Sequence, residues 1–328
     1  MTGAAAQVLH RFFKSCPELH NLFLYTIEGS PPWEPTSPTA QSPLQIALTG
    51  ENKLDSDAPA LRSVSITGNA CHLTPELAFA LNTRNLRSLV LSATNYGFVT
   101  IPEEFWLALT RSAPDTLNLT DLRCTRLTPA LVRFLCSFHG LERLEFDPQF
   151  YPAIPSTSGS SDGVPEMDKD AELRLFNTFF DDVLHAHKAS LRCLAFCSDI
   201  IAERLWYMTP EYLKKVFQCT LLRKLHIPIR CRGDDWVCGT TDPSRTVSHS
   251  DRKPLLQATI IEQLLPMGCL RVVRLTVFSE EGDLEPIRDI ETALNDAIEK
   301  WRFTTTTVPQ FTIMTGRSQA TTTFQWEF

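Results

Sequence analysis

Residues Leu119–Phe146 read LTDLRCTRLTPALVRFLCSFHGLERLEF, and this stretch decides the fold. It contains a short strand pattern, a Thr-Pro helix start, an amphipathic helix and a second strand pattern of the same kind. The strand pattern is L-x-x-L-x-L, whose last two apolar positions lie two residues apart and therefore point to one side of an extended segment. The step from Leu119 to Leu141 is the shortest in the chain, so it shows the repeating unit without inserted residues.

The same strand pattern recurs along most of the sequence. Its eight copies begin at Leu19, Leu61, Leu86, Leu119, Leu141, Leu191, Leu222 and Val272. Because some copies could arise by chance in a chain rich in leucine, the interpretation needs a second signal in register with the first.

Helix starts supply that second signal. They lie between successive strand patterns at Thr74-Pro75, Ile101-Pro102, Thr128-Pro129 and Thr209-Pro210. A threonine at the N-cap accepts a hydrogen bond from an otherwise unpaired backbone N–H, and proline at the first helical position has no N–H to leave unpaired. The alternation of strands and helix starts predicts an α/β repeat protein.

The chain is predicted to form a single irregular solenoid of leucine-rich-repeat type over about residues 1–280. Its strands form a parallel sheet on the concave side, and its helices cover the convex side. Three Pro-, Gly- or Ser-rich insertions, at about 29–57, 148–168 and 229–253, are predicted to be surface loops.

Residues 281–328 are predicted to cap the last repeat. An apolar stripe runs through Glu285–Trp301 at helical spacing, and two strand patterns follow around Thr315-Gly316-Arg317-Ser318. A solenoid needs its terminal repeat covered, so we expect this helix and β-hairpin to pack on the same domain.

Composition narrows the possible functions. The net charge of −7 argues against general affinity for nucleic-acid backbone, and no run approaches the ~18 apolar residues of a membrane span. The N-terminus shows no signal-peptide pattern, and the 10 cysteines lack a compact secreted spacing. We therefore expect reduced thiols in a cytoplasmic or nuclear protein.

The repeat region from about Cys16 to Phe278 resembles the leucine-rich-repeat portion of fungal F-box proteins, on the strand patterns and helix starts above. The asparagine that usually follows the strand in such repeats is present only at Asn69. The resemblance implies recognition of proteins, in the manner of a substrate receptor for ubiquitin ligation.

An F-box is the helical module that docks on the adaptor of a cullin-RING ligase. Because the first repeat strand begins at Leu19, we expect too few residues before it to form a helical module of this kind. Two alternatives stay open: a shortened F-box protein, or a repeat protein without that role.

The residues between the apolar positions of each strand should face the concave surface. We expect the larger of these to contact a protein partner: Phe23, Tyr25, Arg123, Arg143, Glu145, Lys224, His226 and Arg274. Aromatic residues and arginine are the usual anchors of interfaces. An ordinary solvated sheet surface is the alternative.

Metal and catalytic sites have little support. The candidate ligands are Cys193, Cys197 and the pair His185 and His187, but strand residues four apart lie about 13 Å from each other and cannot share one ion. His249-Ser250-Asp251 has suitable residue types without a nucleophile-elbow motif. We expect neither metal, cofactor nor catalytic residues.

The sequence thus favours a protein-binding repeat module with an unidentified protein partner. One alternative is an enzyme with an unrecognised active site. The other is weak nucleic-acid binding through five basic residues: Arg230, Arg232, Arg245, Arg252 and Lys253.

Overall fold

The computed structural model describes residues 3–16, 18–25, 48, 61–67, 73–81, 85–92, 101–112, 117–125, 127–146, 169–196, 208, 210–231, 264, 269–279, 292, 296, 299, 310–315 and 321–324. The chain divides into two compact units, Met1–Ser190 and Leu191–Phe328. The division falls within the range predicted to be the solenoid.

The first unit alternates helices with the strands of a parallel sheet. Its elements are α1 (Gly3–Ser15), β1 (Asn21–Tyr25), β2 (Ser63–Thr67), α2 (Pro75–Ala80), β3 (Ser88–Ser92), α3 (Glu103–Ser112), β4 (Asp121–Cys124), α4 (Pro129–Cys136), β5 (Arg143–Phe146), α5 (Lys169–Thr178), a π-helical turn (Phe179–Val183) and α6 (Leu184–His187). Strands β1 to β5 pair in chain order, all in parallel. The predicted parallel α/β arrangement is confirmed.

Strand register in the first unit follows the repeated sequence pattern. Val64 of β2 pairs with Leu22 of β1 on one side and Leu89 of β3 on the other, and Leu122 of β4 pairs with Leu144 of β5. These residues occupy the same position of L-x-x-L-x-L in each copy. The inward positions of β2 to β5 are buried, whereas the positions between them are half-buried.

A backbone ladder joins each step to the next. The carbonyl directly before the strand accepts two N–H groups from the following copy, at 2.7 to 3.0 Å. The accepting residues are His20, Arg62, Arg87 and Thr120 in the first unit, and Arg192 and Arg223 in the second. Because the two N–H groups are backbone groups at every step, this contact accommodates different side chains; at Arg87 the Thr120 hydroxyl also donates to the carbonyl, at 3.2 Å.

The four predicted helix starts are confirmed. Helices α2 and α4 begin at the predicted prolines, and the Oγ1 atoms of Thr74 and Thr128 each accept a backbone N–H at 3.2 Å. Helix α3 begins at Glu103, directly after Pro102. In the second unit, a helix begins at Pro210.

Aromatic rings fill much of the core between the helices of the first unit. The ring of Trp106 lies 5.5 Å from that of Phe105 and 5.4 Å from that of Phe134. Phe134 in turn contacts Phe138, which lies 5.1 Å from His187. Tilted and edge-on ring contacts of this kind add to the burial of apolar area, so α3, α4 and α6 share one core.

The same core reaches the sheet through β5. Phe146, an inward residue of β5, lies 5.7 Å from Phe179 in the π-helical turn. Phe179 and Phe180 are buried, while Asp181 and Asp182 beside them are exposed. Helical residues therefore cover the inward face of the sheet at this strand.

The second unit is built on a similar sheet. Its elements are β6 (Cys193–Phe196), α7 (Pro210–Val216), β7 (Lys224–Cys231), β8 (Val272–Ser279), β9 (Gln310–Thr315) and β10 (Thr321–Phe324). Strands β6 to β9 pair in chain order and in parallel, and β10 pairs antiparallel with β9.

The predicted start of the eighth copy at Val272 is wrong by two residues. Leu225 pairs with Val273 and Ile227 with Leu275, so the copy that occupies the repeat register begins at Leu270. A shift of two residues keeps the same side chains on the same face, which is why the pattern fitted both positions.

The C-terminal prediction is only partly within the described residues. Strands β9 and β10 form the expected antiparallel pair, but β9 also extends the parallel sheet, with Phe311 opposite Val273. The segment from Val308 to Ile313 is thus a further L-x-x-L-x-L copy that the sequence analysis missed. Of Glu285–Trp301, only Thr292, Asp296 and Glu299 are described; they are helical and exposed.

Two loop predictions need correction. Leu48, in the segment predicted as a surface loop at 29–57, is helical and fully buried, so part of that segment packs in the core. Strand β7 continues to Cys231, three residues into the loop predicted at 229–253, because its backbone pairs with β8 as far as Ser279. The predicted loop at 148–168 lies outside the described residues.

Candidate functional site

The sheet of the first unit has one face whose side chains are not covered by the core, and we call it the open face. Strand register arranges its residues in three rows across the sheet. They are Asn21, Ser63, Ser88, Asp121 and Arg143; then Phe23, Ser65, Val90, Arg123 and Glu145; and then Tyr25, Thr67 and Ser92. Strand periodicity in the sequence predicts that this face carries Phe23, Tyr25, Arg123, Arg143 and Glu145, and the strand register agrees.

Two aromatic residues mark the β1 side of the open face. Phe23 is 68% exposed and Tyr25 is 71% exposed, although both belong to a strand. Each ring keeps a large apolar area in contact with water, which favours burial against a binding partner. Because the two residues are two positions apart, both rings project from the same side of β1.

Small hydroxyl side chains occupy the middle of the open face. Ser65 of β2 lies between Phe23 of β1 and Val90 of β3, and Thr67 Oγ1 lies 3.1 Å from Ser92 Oγ on the neighbouring strand. Three strand spacings of about 4.8 Å separate β1 from β4, or about 14 Å. Short side chains, together with Val90, occupy that width between two groups of longer ones.

Charged residues occupy the β4 and β5 side of the open face. Arg123 Nε lies 3.2 Å from Glu145 Oε2 and 3.7 Å from Asp121 Oδ1, while Arg143 Nε lies 3.9 Å from Glu145 Oε1. Two arginines and two carboxylates form this charged cluster, so their formal charges cancel. The side chains remain between one-fifth and about one-third exposed, and a partner can therefore reach them.

The charged cluster is not fully satisfied by its own hydrogen bonds. Burial raises the pKa of Asp121 above its usual value, and the attraction of Arg123 and Arg143 does not reverse that effect. Asp121 Oδ1 and the Arg123 Nε–H form no aligned hydrogen bond with the described part of the chain, even though both lie at ion-pair distance from opposite charges. Both of these atoms are themselves buried, so a partner can reach only the other, partly exposed atoms of Arg123 and Asp121.

The candidate residues of the second unit differ in their exposure to solvent. Lys224 and Arg274 are exposed, but His226 is only 8% exposed. Its row continues through Ala195 of β6 and Thr312 of β9, and both of those residues are buried too. The prediction that His226 is an exposed contact residue is wrong, although Arg274, which lies between His226 and Thr312 in the same row, is exposed.

The burial of His226 also decides its charge. Burial, with a further contribution from the positive charge of Arg274, lowers the pKa of His226 to about 4. The side chain is therefore neutral near pH 7. It therefore offers no positive charge to a partner at that pH.

His187, considered above as a possible metal ligand, has a structural role instead. Its Nδ1 accepts the Leu141 N–H at 3.3 Å, so Nε2 carries the proton and donates to the Leu135 carbonyl at 2.9 Å. Both ring nitrogens are occupied by backbone, which leaves neither for a metal. Within the described ranges, no group of three or more His, Cys, Asp or Glu residues is arranged to hold a metal ion.

Sequence reasoning missed Asp121, which belongs to the charged cluster. The signal was available, because Asp121 lies two residues before Arg123 and strand periodicity puts both on one face. Other candidates stay untested: His249-Ser250-Asp251 and the basic residues Arg232, Arg245, Arg252 and Lys253 lie outside the described residues, as does the side chain of Arg230.

Comparison with models of protein families and with curated protein sequences finds no match. Among the helices that the structure describes, none is long and apolar enough to cross a lipid bilayer.

Proposed function

We propose that this protein recognises another protein through the open face of its first unit. The observation that carries the proposal is the combination of two exposed aromatic rings with a charged cluster across a floor of small hydroxyl residues. Aromatic residues and arginine are the most frequent energetic anchors of interfaces. Serine and threonine hydroxyls between them can donate and accept hydrogen bonds along a bound segment.

The width of the region between the aromatic pair and the charged cluster favours a polypeptide segment as the bound element. About 14 Å between the aromatic pair and the charged cluster accommodates a strand or a helix lying across the sheet. Apolar side chains of that segment would pack on Phe23 and Tyr25, and its polar groups would meet Arg123 and Asp121. No cofactor or metal takes part in this proposal.

The resemblance to the repeat portion of fungal F-box proteins suggests a setting for such binding. In that setting the bound protein would be a substrate for ubiquitin ligation, and this chain would act as its receptor. Binding of a partner to the open face does not depend on how a ligase is recruited, so the two can be tested separately. Recovery of a cullin-RING adaptor with the chain would support the receptor role, and its absence from a complex that retains the partner would count against it.

The binding proposal is tested by comparing variants of the tagged chain in its native cells. Phe23→Ser with Tyr25→Ser removes the aromatic pair, and Arg123→Glu with Arg143→Glu reverses the arginines of the charged cluster. Phe79→Ser is the matched control, because Phe79 is 54% exposed but belongs to α2 rather than to the sheet.

We expect the same set of proteins to co-purify with the wild-type chain and with the Phe79→Ser control, and to fall at least about tenfold with either open-face variant. Circular dichroism and thermal unfolding show whether each variant remains folded. If folded open-face variants recover every protein as well as the control does, the open face is not the recognition surface.

A further inference from the structure

Strand β1 is an incompletely protected edge of the first sheet. Among the strands that the structure describes, it pairs with β2 alone. Its inward residues Leu22 and Leu24 remain partly exposed, whereas their neighbours on β2, Val64 and Ile66, are fully buried. Within the part of the chain that the structure describes, the core of the first unit therefore ends at β1.

The backbone groups of alternate β1 residues point away from β2. The His20 carbonyl accepts two N–H groups from β2, which fixes the direction of that residue. In an extended strand the N–H and C=O of one residue point to the same side, and the side alternates along the chain. The backbone groups of Asn21, Phe23 and Tyr25 consequently face outward at the edge.

The sequence of β1 carries none of the features that usually protect an edge. It reads NLFLY, without lysine, proline or any charge. Natural sheets commonly place charges, proline or bulges on such strands, since unprotected edges pair with other chains. An apolar, uncharged edge is suited to a partner strand that is also apolar and uncharged.

We propose that the partner is a second copy of this chain, joined through antiparallel pairing of β1 with its counterpart. A twofold axis perpendicular to the sheet would pass beside Phe23, so that Phe23 faces Phe23 of the other copy and Asn21 faces Tyr25. The outward backbone groups of these three residues are those that antiparallel pairing uses. All the facing pairs are uncharged or aromatic, so no like charges oppose the association.

The exposed apolar area is sufficient for a modest dimer. Exposed Phe23 and Tyr25 offer roughly 150 Å² each, and Val8 and Phe12 of α1, the helix that leads into β1, are also more than half exposed. Counting Phe23 and Tyr25 alone, two copies would bury about 600 Å², which is the size of a weak, transient interface. The dimer is therefore expected to dissociate on dilution.

The twofold geometry has a consequence for the open face. Because the axis is perpendicular to the sheet, both copies place their open faces on the same side of a joined sheet. Because the dimer packs the Phe23 and Tyr25 rings of the two copies together, dimerisation competes with any partner that binds on these rings.

The test uses the purified full-length chain and its two charge variants, Phe23→Lys and Phe23→Glu. Light scattering coupled to gel filtration, over a range of micromolar concentrations, should give the wild-type chain a mass that approaches twice 37.0 kDa as concentration rises. Each variant alone should stay at 37.0 kDa, because identical charges face each other across the axis. An equimolar mixture of the two variants should regain the higher mass, because opposite charges then face each other.

The Phe79→Ser chain serves as the control and should dimerise like the wild type. Recovery of the dimer mass in the mixture shows that both variants are folded. A monomeric mass alone would not show this, because a misfolded variant could also fail to dimerise. A wild-type chain that remains monomeric throughout, or a dimer that persists in both charge variants, overturns the proposal. Because no partner is added, this result is independent of whether the open face recognises other proteins.

Discussion

At the scale of single residues, the role of His187 depends on its burial. A histidine could bind a metal or a proton, but the buried ring of His187 binds two backbone groups instead. The neutral ring joins the end of α4 to the start of β5, since it contacts the Leu135 carbonyl and the Leu141 N–H. Burial is the main reason why the pKa of His187 falls to about 4. Protonation would place a second N–H opposite the Leu141 N–H, where only an acceptor is tolerated.

This pKa makes a prediction about stability and pH. The ordinary pKa of an unfolded histidine is near 6.5, so between about pH 6.5 and pH 4 the unfolded chain binds a proton that the folded chain does not. The stability that His187 confers is therefore present above pH 6.5 and is lost as the pH falls towards 4, by roughly 3 kcal/mol in total. His226 acts in the same direction.

Proton NMR of the histidine Cε1–H groups measures this directly, with the His187→Gln and His226→Gln variants assigning the two signals. Both signals should keep the shift of neutral imidazole down to about pH 5. A His187 signal that titrates near pH 6.5 in the folded chain would show that the ring is not held as described.

The candidate residues themselves show what strand periodicity can and cannot predict. Alternation fixes which face of a strand a residue occupies, and it placed Phe23, Arg123 and Arg143 correctly on one face. It does not reveal whether another part of the chain covers that face. For that reason the exposure of Tyr25 agreed with expectation while that of His226 did not.

At the scale of elements, helix starts were predictable because their chemistry is local. The Thr-Pro pairs specify a cap and a first turn without reference to the rest of the chain. The register of β8 was not predictable in the same way, because Leu270 and Val272 both begin a segment that matches L-x-x-L-x-L. Hydrogen bonds from Arg271 and Val272 to the Arg223 carbonyl, which are long-range contacts, select the first of these.

The cap of α4 allows a test at this scale. Thr128→Ala removes the oxygen that accepts the Leu131 N–H, and we expect the free energy of unfolding to fall by about 1 kcal/mol. Thr128→Ser keeps the hydroxyl and should retain most of the stability. Urea unfolding of the three proteins measures the difference, and equal losses in Ala and Ser variants would show that the cap bond contributes nothing.

At the scale of the whole molecule, the repeated strand and helix pattern predicted a parallel α/β architecture that the structure shares. The sequence did not predict the division at Ser190 and Leu191 or the further copy of the pattern in β9. The division depends on how distant segments pack, about which a pattern within one segment contains no information, whereas the copy in β9 is present in the sequence as Val308-x-x-Phe311-x-Ile313. Family resemblance likewise suggests protein recognition without naming the partner.

The central claim is that the open face binds a polypeptide segment, and calorimetry with a selected ligand tests it most directly. Peptides are first selected from a displayed library against the purified wild-type chain. Their dissociation constants are then measured for the wild type, for Phe23→Ser with Tyr25→Ser, and for the Phe79→Ser control. We predict binding at least about tenfold weaker to the double variant and unchanged binding to the control. Equal affinity for all three folded proteins would contradict the account.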